Sequence, residues 1–433
     1  MELLRHQKRI IKRGDRLITN RSHFTSVSVS IMLLVVLIFN YAFITMTKNC
    51  FSTAMVFIVE DGALTKSQTG TITGTFFVVY GFLQILGGIF ADKWHPERLL
   101  TIGFVCAGIA NLVIYFNQSY AVMFAAWIFN ALTQFPVWPA TFKITSSMLS
   151  PKIRSKAIFF MSFSSALGFV LGYIVAAIVP RWQENFLVSA LGLFGCAILW
   201  TGVWTIAKLK SEIKENEHES PTVAHQDNHH DISFVKLLFS SGVAFMVVVS
   251  FISSAFNLGV KTFTPSIIKE SYDSVSASFA TVISILVVIA GACGSFFTKL
   301  WYPKFVKNEA FGYFLMMFVG IFPCTTLLLV GKVNYWIIVV AMSLLMFFLS
   351  SGSLCSSYIN ASFNRWGKSG TLSGIMNFSA SFGVFFANFF FTRIADNYGW
   401  LATLKVSLAL VIIGAILAAL ATPLWKKYMP DKK

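Results

Sequence analysis

An all-α membrane protein, with twelve membrane-spanning helices in two pseudo-symmetric six-helix bundles and both termini in the cytoplasm, is the fold class that three features of this 433-residue chain predict. The first is composition. With 56% of residues hydrophobic and 12% charged, polar surface is too scarce to cover a soluble fold of this size, so lipid is the solvent. The second is length: apolar runs of about 18 residues or more, enough to cross the hydrocarbon core as helix, recur along the chain. The third is the placement of charge. Of 34 Lys and Arg, Lys48 and Lys261 lie well inside apolar runs, and Lys66, Arg181, Lys269, Lys332, Arg393 and Lys405 lie on one side of the membrane. All the others fall in the N-terminus, the even-to-odd connections and the C-terminus, which the positive-inside rule assigns to the cytoplasm. That asymmetry accounts for the +16 net charge without a nucleic acid partner.

Taken in order, residues 1–26 form a basic cytoplasmic segment, in which Arg5, Lys8, Arg9, Lys12, Arg13, Arg16 and Arg21 alternate with Leu and Ile. An amphipathic helix on anionic lipid and a solvated tail both fit that pattern. A cleavable signal peptide does not, because the charged region is long and the first apolar run is a full span without a small-residue cleavage site. Twelve apolar runs follow, over roughly 27–57, 68–90, 99–117, 121–146, 156–179, 185–206, 240–264, 275–298, 310–330, 334–357, 371–392 and 400–424. They are too long for barrel strands, and helices satisfy their own backbone groups in lipid. The division is therefore a first bundle over 27–207, a cytoplasmic linker over 208–234, a second bundle over 235–425 and a tail over 426–433. The linker, rich in Glu, His, Ser and Asn, reads as unstructured, and its His218, His225, His229 and His230 as solvated side chains rather than metal ligands. Six cysteines stand singly in apolar runs with no C-x-x-C pair, so they read as small hydrophobes. No metal or cofactor is expected, and no enzyme: the chain has no phosphate loop and no nucleophile beside a base.

The two bundles carry a weak internal repeat. The second span ends in Gly88, Asp92, Lys93, Pro96 and Arg98, the eighth in Gly294, Thr298, Lys299 and Pro303. The fifth is rich in small residues (Ser162, Ser164, Ser165, Gly168, Gly172), as is the eleventh (Gly374, Ser379, Ser381, Gly383), and small residues let helices approach and slide. Six spans plus six, with a site between the halves, is the plan of a rocking transporter.

The segment Gly88–Arg98 in this setting resembles the loop signature of the major facilitator superfamily between its second and third helices. That resemblance implies the major facilitator fold, with Asp92 at the cytoplasmic end of the eleventh helix. A narrower resemblance, to the organophosphate:phosphate antiporters, runs patchily over nearly the whole chain. It is carried by Asn40-Tyr41 to Lys48, Glu60-Asp61-Gly62, Tyr80-Gly81-Phe82, Gln134, Trp138-Pro139, Gly259, Pro265, Gly370 to Gly374 and Asp396 to Trp400. It implies exchange of an organic phosphate, with inorganic phosphate as counter-substrate. In that family an Arg on the first helix and an Arg on the seventh hold the phosphate, helped by a Lys on the second and a His on the fifth. Here those positions read as Lys48, Asn257, Gln84 and Ser165. Lys261, four residues beyond Asn257, is on the same helix face about 6 Å away and stands in for the missing Arg. Two ammonium groups are poorer partners for a dianion than guanidinium forks, which keeps a carboxylate or another anion open.

A lysine at the bilayer centre costs roughly 2.5–3.5 kcal/mol on insertion scales, so one in a run without Asp, Glu or His points to a hydrated path or an anionic ligand. Lys48 is twelve residues, about 18 Å of helix, from Glu60, too deep to snorkel. Lys261 is nine residues, about 13 Å, from Glu270, where snorkelling competes. The candidate substrate-binding set is Lys48, Lys261, Tyr41, Tyr80, Gln84, Gln134, Trp138 and Asn257. Hydroxyls and amides near a cavity can donate hydrogen bonds to an anion, although in so Phe-rich a chain an aromatic stripe is usually packing. The basic cluster Lys143, Lys152, Arg154 and Lys156 fits positive-inside topology better than substrate attraction. Because Asp, Glu and His stay in connections, tails and helix ends, proton coupling through a buried carboxylate has no candidate, whereas anion exchange needs none. The sequence thus predicts a secondary transporter of a small organic anion, monomeric and set among membrane lipid in a plasma or inner membrane. A membrane sensor of the same fold and a lipid or carboxylate carrier remain the alternatives.

Overall fold

The computed structural model describes residues 22–211, 213–215, 233–301, 306–330, 333–350, 352–366 and 368–428. Nearly all of this is helix. By length and composition eight stretches among the described residues can cross a membrane, among them Val27–Glu60, Tyr120–Met148 and Ser369–Lys426, and two shorter apolar helices accompany them. By internal packing the chain divides into two compact units. One comprises the chain up to Cys50, Phe82–Gly172 and Gln183–Thr222; the other comprises Phe51–Gly81, Tyr173–Trp182 and Val223 onward.

Along the chain the elements are β1 (Ser22–Phe24), α1 (Val27–Lys48), α2 (Cys50–Glu60), α3 (Lys66–Lys93), α4 (Pro96–Phe116), α5 (Tyr120–Gln134), α6 (Val137–Lys143), α7 (Pro151–Ile178), α8 (Glu184–Lys210) and β2 (Ile213–Glu215). They continue with α9 (Phe234–Ser240), α10 (Val243–Ser271), α11 (Ala277–Ile283), α12 (Ile285–Trp301), α13 (Glu309–Val330), α14 (Tyr335–Leu349), α15 (Gly352–Ser362), α16 (Ser369–Phe386) and α17 (Thr392–Lys426).

In the first unit α4 packs along α8, and in the second α13 packs along α17. Each pairing is sealed the same way. Trp200 donates from Nε1 to the carbonyl of Glu97 (3.0 Å), and Trp425 donates from Nε1 to the Glu309 carboxylate (2.7 Å). Glu97 and Glu309 stand in the first turns of α4 and α13, where the helix dipole favours a carboxylate. Both are buried, so two of the acids that the sequence puts at helix ends are packed within the protein.

Short strands join the segment before α1 to the start of the linker: β1 pairs antiparallel with β2, His23 opposite Lys214. Phe24 is buried edge-on against Trp204 (5.4 Å), and the N–H of Ser26, which caps α1, donates to the Ser211 hydroxyl oxygen (3.1 Å). Three residues of a linker read as unstructured therefore have a fixed place. Residues 208–210 continue α8, and residues 212 and 216–232 of the linker, its histidines among them, lie outside the described residues together with most of the basic N-terminal segment.

Two helices break at matching places. After 15 residues, α5 stops at Gln134 and the chain resumes as α6 at Val137. After 15 residues, α14 stops at Leu349 and resumes as α15 at Gly352. The causes differ: Pro136 and Pro139 remove donors from the first helix, whereas a Ser350-Ser351-Gly352 sequence loosens the second. At the second break hydroxyls take the freed carbonyls, from Ser253 to Leu349 (3.3 Å), Ser295 to Ser350 (3.3 Å) and Tyr313 to Gly352 (2.9 Å). In a membrane such groups find protein partners.

Candidate functional site

Each unit holds one of the two buried-span lysines, and each is gripped by its own helix close to one of these breaks. Lys48 is the last residue of α1, before the turn at Asn49 that separates α1 from α2. Its ammonium stands 5.8 Å from the centre of the Tyr41 ring, two turns back on the same face. Tyr41 in turn packs on Trp138 of α6, with ring centres 4.8 Å apart, and Trp138 is two residues past the α5 break. The lysine is thereby steered by a ring face, and the ring by a residue on the kinked helix.

In the second unit Lys261 donates from Nζ to the Asn257 side-chain carbonyl (2.8 Å). Asn257 donates from Nδ2 to the Ser350 hydroxyl (3.4 Å), and Ser350 is the C-cap of α14, at its break. The two bonds fix which way the Asn257 amide points. Asn257, predicted to meet substrate, is here the acceptor that orients Lys261. Lys261 has a second anchor: the Tyr173 hydroxyl donates to its backbone carbonyl.

The other predicted residues divide. Gln134, buried at the end of α5, donates to Asn130 Oδ1 one turn back (2.6 Å). Tyr80 is buried and stacked on Phe76 (5.7 Å, rings 11° apart), the packing role that the sequence offered as the competing reading. Gln84 is half-buried on α3. Of the loop signature, Gly88, Asp92 and Lys93 belong to the last turns of α3 and Arg98 is exposed in the first turn of α4, the two helices being separated by Trp94 and His95 alone. The side chains of Asp92 and Lys93, and so the Asp92 contact with the eleventh span, lie outside the described residues, as does that of Lys156. Arg154 bonds the carbonyls of Leu149 (2.9 Å) and Ser147 (2.6 Å) at the start of α7, a capping use.

Sequence reasoning passed over three participants. Asn130 is legible as the i−4 neighbour of Gln134. Tyr173 has a signal in Pro265, which stands four residues after Lys261 and leaves that carbonyl without an N–H. Ser350 has none, since its role depends on where α14 breaks. The second unit also holds a mainly apolar space of about 410 Å³, mouth included, with Phe256, Gly259, Phe263, Phe391, Trp400 and Ser407 among its walls. The buried Trp400 Nε1 has no hydrogen-bond partner among the described residues.

The C-terminal ends of α2 and α10 and the N-terminal end of α3, all in the second unit, carry opposite charges in contact. Lys66 meets Glu270 (2.6 Å) and Lys269 meets Glu60 (3.4 Å). The Ser67 N–H donates to Asp396 (2.6 Å) and Trp182 Nε1 to Asp61 (2.9 Å). Glu60, Asp61 and Asp396 belong to the stretches that carry the antiporter resemblance, and their work here is structural.

Comparison with known proteins finds a family, relatives and similar folds. The family profile described as "Major Facilitator Superfamily" matches residues 37–388. A probable hexose phosphate transport protein of Chlamydia trachomatis is 22% identical over 406 residues, 87% of this chain and 87% of that protein. The membrane sensor protein UhpC of Escherichia coli K12 is 23% identical over 43% of this chain and 44% of its own. Among solved structures, an inward-facing bacterial homologue of the human lysosomal transporter Spinster superposes with a TM-score of 0.73 at 14% identity, covering 94% of this chain and 100% of that one. A peptide transporter gives 0.71, also at 14%.

Proposed function

Because this chain belongs to the Major Facilitator Superfamily, we propose that it carries a small phosphate ester, of the hexose phosphate kind, across the membrane by alternating access in exchange for inorganic phosphate. It is an integral multi-pass membrane transporter and not an enzyme. Twelve spans with cytoplasmic termini, bundles over 27–207 and 235–425, and a turn signature in Gly88, Asp92, Lys93 and Arg98 go with this reading. Lys48 and Lys261 are the substrate cations, Tyr41, Trp138 and Asn257 hold them, and Gln134, Gln84 and Tyr80 complete the polar path.

The observation that carries the proposal is the pairing of each lysine with a helix break. A cation in an apolar run with no Asp, Glu or His is costly to insert, and a device that orients it through a second helix is unexplained by snorkelling. Relatives called hexose phosphate transport proteins support the substrate class. Anion exchange also agrees with the absence of Asp, Glu and His from those runs.

Counterflow tests it. Proteoliposomes loaded with inorganic phosphate should take up external glucose 6-phosphate, and the same vesicles without internal phosphate should not. Uptake that ignores internal phosphate defeats the exchange mechanism; no uptake of any phosphate ester defeats the substrate class. The partial match to a membrane sensor supports a second reading, in which glucose 6-phosphate raises the thermal stability of the protein while counterflow stays at background.

A further inference from the structure

We propose that Tyr173 is a positioning residue for Lys261: its hydroxyl bonds the carbonyl that Pro265, lacking an N–H, cannot, and so fixes the part of α10 from which the ammonium projects. Pro265 lies inside α10. Having no N–H, it cannot bond the carbonyl four residues earlier, and its ring presses on that carbonyl. That residue is Lys261. A bare carbonyl here would be buried away from water, where an unmade bond is costly. Tyr173, with its side chain fully buried, supplies the missing donor from α7.

The geometry makes this more than a satisfied backbone group. Lys261 is held from two directions, its carbonyl by Tyr173 and its ammonium by Asn257, which leans on Ser350 at the α14 break. Removing either hold lets the kinked segment turn about its axis, and the ammonium moves with it. Tyr173 is also the residue at which α7 passes from one compact unit to the other, Pro151–Gly172 belonging to the first and Tyr173–Trp182 to the second. The consequence for substrate rests on the reading of Lys261 as a substrate cation.

A mutant cycle tests it with the full-length protein in proteoliposomes. Y173F keeps the ring and removes the donor; P265A returns an N–H that can bond the Lys261 carbonyl within the helix. For phosphate-loaded vesicles taking up glucose 6-phosphate, Y173F should raise KM about tenfold with kcat little changed, the loss expected when a buried carbonyl goes unpaired. In the P265A background the same change should raise KM less than about twofold. A merely structural tyrosine would lower the amount of folded protein in both backgrounds and leave KM alone. An equal effect of Y173F in both backgrounds, or none in either, overturns the proposal. Should the wild-type protein exchange no phosphate ester, the functional reading fails while the contact is still decided by amide hydrogen exchange over residues 262–268. Faster exchange in Y173F only when Pro265 is present supports it, and unchanged exchange overturns it.

Discussion

At the scale of single residues, the two lysines differ in what holds them, and the difference is testable. Lys48 faces an aromatic ring, and a cation over a ring face is stabilised by about 0.5–2 kcal/mol, more as water is excluded. Y41F retains that face and should exchange glucose 6-phosphate with nearly wild-type KM, whereas Y41A should raise KM between about twofold and thirtyfold. A strong defect in Y41F would mean that the hydroxyl, and not the ring, meets the anion. K48A should abolish uptake altogether, and wild-type affinity in that variant would remove the basis of the site. Lys261 depends on an amide instead. N257D would place a carboxylate beside the ammonium and compete with an anionic substrate, so binding measured by thermal shift should be lost while the variant still folds.

At the scale of elements, close approach of helices is set by glycine at two related places. A Cβ on Gly168 of α7 would lie 2.4 Å from the Ala42 carbonyl oxygen of α1, and one on Gly383 of α16 would lie 2.1 Å from that of Phe251 of α10. In both units a small residue thus brings a helix into backbone contact with the helix that carries the lysine. G383A should destabilise the protein by about 1–3 kcal/mol in thermal unfolding, the usual cost of overpacking. G374A, with nothing within 4 Å of its added methyl, should be neutral or stabilising by up to about 1 kcal/mol. The sequence named both glycines as small residues in one span; packing alone separates them. Gly399 is different again: its φ of 76° and ψ of 170° belong to a backbone region open to glycine almost alone, and it splits α17 near its start.

At the scale of the whole molecule, the distribution of Lys and Arg predicts which side each connection faces. A cysteine introduced in the tail as D431C should resist a membrane-impermeant thiol reagent in right-side-out vesicles and react in inverted ones; the reverse pattern would invert the topology. Much of this architecture was legible beforehand, because lipid forces every spanning segment to declare itself as a long apolar run and charge asymmetry is additive along the chain. Lys48 and Lys261 were legible for the same reason, as charges in runs that should hold none. How they are held was only partly so. Tyr41 and Asn257 were read as residues lining the substrate path; Tyr41 turns its ring face to Lys48 and Asn257 accepts from Lys261, while Ser350 gave no sign at all. Composition and periodicity by themselves determined the membrane, the helical class and the two cations. Only tertiary structure decided how those cations are aimed, because α5 and α14 break where proline, serine and glycine weaken them and the groups that meet there are far apart in sequence, brought together by packing that no local pattern encodes.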